Sequence, residues 1–425
     1  MLNTVPLINA EPEAASQHTV SHNWLEEFAA RLALHSEPVK HPDNYNPLPA
    51  RIKTLGIFLA SVHNYFEETS RAETTVSNAA EWMLDNFYVI EQTLRQVGED
   101  IPPDFYRRLP KLNINDKELA RIYTLAFIFT KAHDSHLEMK YIQNFTEAFQ
   151  SVTLLQIGEN WALAPMFRLS VLETLADALS HITQLDFHPA ASLDQWVGVP
   201  FDRRSRPRSD DEAIVINSIV SLRMLATQNW RDFFEATSVV EHILRVDPSG
   251  VYPQMDFETR NRYRNNIEEL ALGSQFDEAA IAHEALSLTQ NGNGAHARHI
   301  GYYLIGHGSS ELEARVGYRS SYQSRLRRWL TRVPIRTYLG SIIILTIMLC
   351  LASLLYASHV GGNLLQIFLT LALTILPASA VAVDVVNWLV VQTVPPRVLP
   401  RLDFQDGIPA EFNVMVVIPS LLKNE

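Results

Sequence analysis

Residues 337–383 read TYLGSIIILTIMLCLASLLYASHVGGNLLQIFLTLALTILPASAVAV. Two uncharged apolar runs, Thr337–Ser358 of 22 residues and Val360–Val383 of 24, are separated by His359 alone. An apolar helix of roughly 20 residues, rising about 1.5 Å per residue, crosses a hydrocarbon core of about 30 Å. Each run is long enough, and the Gly361-Gly362-Asn363 turn leaves no room for a domain between them. The reading is a membrane hairpin with both of its flanks on one side of a bilayer. The competing reading, a soluble hairpin buried in a core, requires buried helices of unusual length without a charge.

Charge chooses the side. Arg315, Arg319, Arg325, Arg327, Arg328, Arg332 and Arg336 precede the first run with no acid among them. Arg397 and Arg401 follow the second run, and the turn has neither Lys nor Arg. Basic residues near span ends are retained in the cytoplasm, so both chain ends are expected there and the turn outside. The arginine collar also suits anionic headgroups, at about 1 kcal/mol per basic residue near the surface.

The second run holds two interruptions. Pro377 is tolerated in a membrane helix and bends it. Counting about 1.5 Å per residue from Leu364 puts Asp384 at the far headgroup level, where its charge is cheap. Residues 384–394 are read as an interfacial extension, with Trp388 as its anchor. A plain continuation of the span fits nearly as well.

Upstream of the collar the chain changes character. Of 425 residues 47% are hydrophobic and 19% charged, and the net charge of −12 averages an acidic first three hundred residues with the basic collar that follows. Such an acidic domain lacks the basic footprint of a nucleic-acid binder. Cys350, the single cysteine, lies in the first apolar run, which rules out an intrachain disulfide framework and suits a reducing compartment. Residues 1–30 lack the pattern of a cleavable signal, so the first span is expected to direct insertion.

Apolar residues recur with helical spacing. Leu55, Phe58, Leu59, Val62 and Phe66 form one face; Met83, Phe87, Ile90, Leu94 and Val97 form a narrow seam, stopped by Pro102-Pro103. Further faces run through Leu119–Phe129, Phe145–Leu155 and Leu169–Leu179, with Pro165 kinking or starting the last. After a charged linker at 202–212, helices are expected at 213–227, 230–244, 256–272 and 277–290. The fold class is mainly α: a cytoplasmic multi-helix domain followed by a two-span transmembrane α-helical hairpin. The expected segments are 1–35, flexible; 36–310, helical domain; 311–336, basic juxtamembrane stretch; 337–358 and 361–394, membrane helices; and 395–413, linker.

Several phrases in order resemble the bacterial cyclic β-1,2-glucan synthases, large inner-membrane glycosyltransferases. They are AEWMLDNF (80–87), FYRRLPKL (105–112), IGENWA (157–162), DPSGVYPQMDFETRNRYR (247–264), GYYLIG (301–306) and PPRVLPRLDF (395–404). The resemblance runs over about residues 36–422. It implies UDP-glucose as donor, Mg or Mn as metal, and a glucan built on the protein and then cyclised. In that family the corresponding segment precedes the transferase domain. Val414–Leu422 looks like that domain's first strand, so 414–425 reads as its truncated start.

The chemistry of sugar transfer is not visible in these residues. No Asp-x-Asp pair occurs to hold a metal against a diphosphate, and Asp210-Asp211-Glu212 sits in the charged linker as a solvated run. Arg328-Trp329 lacks the glutamine of a Gln-x-x-Arg-Trp acceptor motif. Glu159 with Trp161 reads as a helix start rather than a pocket. Asp256, Glu258, Arg260, Arg262 and Arg264 read as ion pairs on one helix rather than a phosphate site. His296 and His299 have no third ligand nearby for a metal, and Gly301–Gly308 follows no strand, against a phosphate loop. The sequence carries no catalytic, cofactor-binding or metal residue of its own. The expected partners are the lipid bilayer and the transferase domain, with UDP-glucose met only through the latter. A different class of reading is a free-standing membrane-tethered adaptor or sensor.

Overall fold

The computed structural model describes residues 46–72, 77–114, 117–187, 208–292, 294, 296–320, 334–393, 399–404 and 407–409, with short pieces between 27 and 39. The chain divides into two compact units, Met1–His242 and Ile243–Glu425. The expected helical domain 36–310 thus straddles the division.

The first unit is built around one helix. In order come α1 (Leu48–Ala72), α2 (Asn78–Asp100), α3 (Pro103–Arg108), strands β1 (Lys111–Ile114) and β2 (Lys117–Ala120), α4 (Arg121–Ala132), α5 (Met139–Gln150), α6 (Ile157–Thr183), α7 (Arg208–Thr227) and α8 (Trp230–Thr237). The short α9 (Val239–Leu244) spans the division. α6 packs against α1, α2, α4 and α7 and is buried on nearly every face, as an element at the centre of a helical bundle must be.

The expected faces are where the periodicity put them. Leu55, Phe58, Leu59, Val62 and Phe66 are all buried on α1, and Met83, Ile90 and Val97 on α2. Several boundaries differ. α1 starts at Leu48, seven residues before the first member of its expected face, where the Asn46 side chain accepts from the Leu48 N–H at 2.9 Å. Pro165 neither starts nor ends a helix. A reciprocal cap between Gln156 and Glu159 begins α6 eight residues earlier, and the packing around it carries the helix through the proline. The linker expected at 202–212 gives way to helix at Arg208, so Asp211 is part of α7 and lies 3.6 Å from His181. Ala29, Leu32 and Ala33 belong to the core, correcting the flexible 1–35 segment over these residues. The β1–β2 hairpin, pairing Leu112 with Leu119, was not expected; four-residue strands are too short to display alternation.

Charges inside this unit are paired. Glu159 of α6 takes both arms of Arg121 at 2.8 and 2.5 Å, with side chains 0% and 3% exposed. Glu173 binds Arg51 at 2.5 Å and accepts from the Tyr123 hydroxyl. Burial, the Glu173 charge and the Glu173 bond push the Tyr123 phenol up against the opposing pull of Arg51. Arg168 meets Asp100, and Asp177 meets Lys131, each at 2.8 Å.

The second unit opens with a 3₁₀ turn at Tyr252–Gln254 and α10 (Phe257–Leu272), then α11 (Glu278–Asn291), α12 (Ile300–Leu304) and α13 (Ser309–Arg315). Asp256 and Asp277 cap α10 and α11 by accepting from Thr259 N and Ala280 N, at the expected starts. Two long helices follow, α14 (Pro334–His359) and α15 (Leu364–Thr393). Their apolar stretches are exposed almost throughout, unlike helices buried in a core of this chain. The proposed strand at 414–422 and the prolines at 395–396 lie outside the described residues.

Replacing Glu159 by Gln strands the buried Arg121 charge and is expected to lower the stability of the first unit by about 3 kcal/mol or more. Denaturant unfolding followed through Trp161, which stacks on Phe234 at 4.3 Å, measures it. Adding Arg121→Met to that change should recover part of the loss; no recovery would show that the pair's charge is not the cause.

Candidate functional site

Two places in the second unit concentrate polar groups that its helices do not need for themselves. The first is the hairpin. Asn363 and Gln366 cap each other reciprocally, each N–H donating to the other's side chain at 2.9 Å, so α15 starts cleanly after the turn. Gly361 takes φ +82, a conformation an L side chain rarely adopts. Ala378, Ala382 and Val386 on α15 and Cys350 on α14 are the buried positions where the two helices meet. Tyr338 donates to the Asn387 side chain at 2.8 Å and ties the open end.

These contacts align two belts. Tyr338 and Tyr356 on α14 are 18 residues apart, and so are Gln366 and Asp384 on α15; both intervals come to about 27 Å, close to a hydrocarbon thickness. Arg336, Tyr338, Asp384, Asn387 and Trp388 cluster at one level; Tyr356, His359 and Gln366 mark the other. Of the residues expected to set topology, Arg336 and Trp388 lie in this first belt and are exposed. Arg325, Arg327, Arg328, Arg332 and Arg397 lie outside the described residues. Arg401 is held elsewhere, its main chain bound to the start of α10.

The second place is a hydrogen-bonded chain around His299. Its Nδ1 lies 2.8 Å from Asp247 Oδ2 and 3.1 Å from Ser249 Oγ, and its Nε2 lies 3.1 Å from Tyr263 Oη. Asp247 Oδ1 accepts from the Ile300 N–H at 3.0 Å. Burial alone would push the Asp247 carboxyl up. Hydrogen bonds from His299 and Ser249, the His299 charge and the Ile300 N–H outweigh it and hold the carboxyl below the usual carboxylate range. Burial, with the Asp247 charge behind it, pushes the Tyr263 phenol up to about 12.

An Asp–His–Tyr chain is a proton relay in form. Here it is closed. Tyr263 is 1% exposed, and a Cβ on Gly301 would lie 2.2 Å from Tyr263 Oη. The cluster staples the 247–250 turn to the start of α12, and no reaction is assigned to it. It also resolves the His296/His299 pair: both ring nitrogens of His299 are engaged while His296 is exposed. The glycine at 301 serves this close packing. Sequence reasoning missed the cluster because its other members lie 36 to 52 positions from His299; the Asp-Pro-Ser-Gly turn was its one local sign. Glu159 belongs to the helix start, as expected, and the half-buried Trp161 stacks on Phe234. Among the described residues no three His, Cys, Asp or Glu side chains group as a metal site.

With this geometry in place, comparison with known proteins gives a direction. No protein-family profile matches the chain. Over 422 aligned positions it is 27% identical to the cyclic beta-(1,2)-glucan synthase NdvB of Rhizobium meliloti (strain 1021), covering 83% of this chain. The chain resembles the cyclic β-1,2-glucan synthases. It spans 15% of that relative's length, as an N-terminal portion of such a protein would.

The sign of Asp247's effect on stability follows from its lowered folded-state pKa. Its contribution is present above the unfolded value and is lost as pH falls through the folded one, below the usual carboxylate range. Asp247→Asn is therefore expected to destabilise the second unit by about 1–3 kcal/mol at neutral pH. The gap to the parent should shrink as pH drops below about 4. Thermal melts across pH 2–8 check both; a gap that stays constant with pH contradicts the assignment.

Proposed function

We propose that this chain is the membrane-anchoring and scaffolding part of a cyclic β-1,2-glucan synthase. What supports the reading is the coincidence of two features: a two-helix apolar hairpin, and similarity to a glucan synthase over most of the chain. In this proposal α14 and α15 cross the bacterial inner membrane, with residues before Pro334 and after Thr393 in the cytoplasm. Arg325, Arg327, Arg328, Arg332 and Arg336 on one flank, and Arg397 and Arg401 on the other, hold that orientation. Trp388 and Tyr338 seat the hairpin at the cytoplasmic interface.

The helical units then hold a transferase domain at the membrane face, where UDP-glucose is available and the product glucan must leave. Glucosyl transfer, and the Mg or Mn that assists it, belong to that domain. The helical residues described here supply position rather than chemistry. Serving a partner domain asks rigidity of a scaffold, and the buried ion pairs of α6 supply it in the first unit.

Two measurements test the proposal. Alkaline phosphatase fused at Gly362 should be active in the periplasm, while a fusion after Phe404 should be silent; the reverse pattern overturns the orientation. In a strain whose chromosomal copy lacks residues 36–310, membranes given radiolabelled UDP-glucose with Mg²⁺ should form several-fold less cyclic glucan. Undiminished output would overturn the scaffolding role.

A further inference from the structure

The chain that comes back from the hairpin is not left loose. Residues 401–403 lie antiparallel to 254–256, with Met255 opposite Leu402. Two main-chain bonds flank that pair: Asp256 N–H donates to the Arg401 carbonyl at 3.0 Å, and Asp403 N–H to the Gln254 carbonyl at 2.8 Å. A third runs from Arg401 N–H to Thr259 Oγ1 at 3.0 Å, and the Arg401 guanidinium faces Asp256 at 3.8 Å. Thr259 is 3% exposed and Met255 4%. Every main-chain N–H that could extend this edge at 401 and 403 is thus used.

We propose that the Gln254–Thr259 edge is a peptide-docking site whose occupant, in cis, is the segment Arg401–Asp403 returning from the second membrane helix. The edge selects by chemistry. Its backbone takes an extended strand, as in strand addition. Asp256 favours a cation at the first position, and Met255 lies opposite an apolar residue at the second. The acceptor on Thr259 requires a free N–H at the first position, which a proline there would lack.

The same helix holds the other flank. At the far end of α10, Arg319 N–H donates to the Gly273 carbonyl at 2.8 Å and the Tyr318 hydroxyl to Glu269 at 3.2 Å. Both flanks of the hairpin are therefore fastened to α10, one at each end. From Thr393 to Leu399 the chain reaches at most about 21 Å, so the clasp keeps the start of α10 close to where α15 ends. α10 thus ties both flanks of the hairpin to the helices that precede it in the second unit.

The test uses the full chain in detergent. In a Cys350→Ala background, Met255→Cys with Leu402→Cys places two thiols at a directly opposed, non-hydrogen-bonded position, where Cα atoms lie about 4.5 Å apart, within disulfide range. Mild oxidation should give a monomeric species of altered mobility on non-reducing gels, absent from either single-cysteine chain. A disulfide-linked dimer would mean that a second copy fills the edge, and no cross-link that nothing does; either overturns the cis assignment. Hydrogen exchange on the unsubstituted chain adds a second reading. Peptides covering 399–404 should exchange at least tenfold more slowly than the free peptide, and Thr259→Val should cut that protection about fivefold. Exchange at free-peptide rates would also overturn it.

Discussion

Hydrocarbon offers no hydrogen bonds, and this requirement governs the arrangement of the second unit. A backbone entering lipid must satisfy its own N–H and C=O groups, which leaves a helix as the form available to each apolar run. The turn between the runs must then stop one helix and start the next within four residues. Gly361 in the left-handed region and the Asn363/Gln366 reciprocal cap do this. The residual polarity has to collect at two levels, and Tyr338–Asn387 closes one of them. Each feature follows from the cost of leaving a polar group in lipid.

The first unit answers the opposite problem. Its central helix is surrounded by protein, and yet it carries Glu159, Arg168, Glu173 and Asp177. A buried charge is tolerated only with a partner in good geometry, so Glu159, Arg168 and Glu173 each have one on a neighbouring helix or its flank, and the half-buried Asp177 meets the buried Lys131. Apolar packing brings the helices together; the ion pairs specify which turn of one lies beside which turn of the next.

Legibility in the sequence tracked the range of the interaction. The hairpin was readable because solvation by lipid is a property of consecutive residues. The faces of α1 and α2 were readable because periodicity is local. What stayed hidden depended on partners far along the chain: Arg51 with Glu173, 122 positions apart, and Asp247 with His299, 52 apart. The passage through Pro165 depended on the bundle around it. The division after His242 falls where neither glycine nor proline marks a break, whereas the charged stretch taken for a linker is in part the first turn of α7.

The spacing of Arg51, Glu173 and Asp177 along the chain has a consequence for biosynthesis. Those partners, and the rest of the first unit through His242, are translated about 90 residues or more before the ribosome reaches Pro334. At about 5–20 residues per second that is a delay of roughly five to twenty seconds. Helical bundles assemble far faster than this. The nascent chain can thus finish folding its first unit in water before its greasy hairpin is made, and the two solvents are met in sequence rather than in competition.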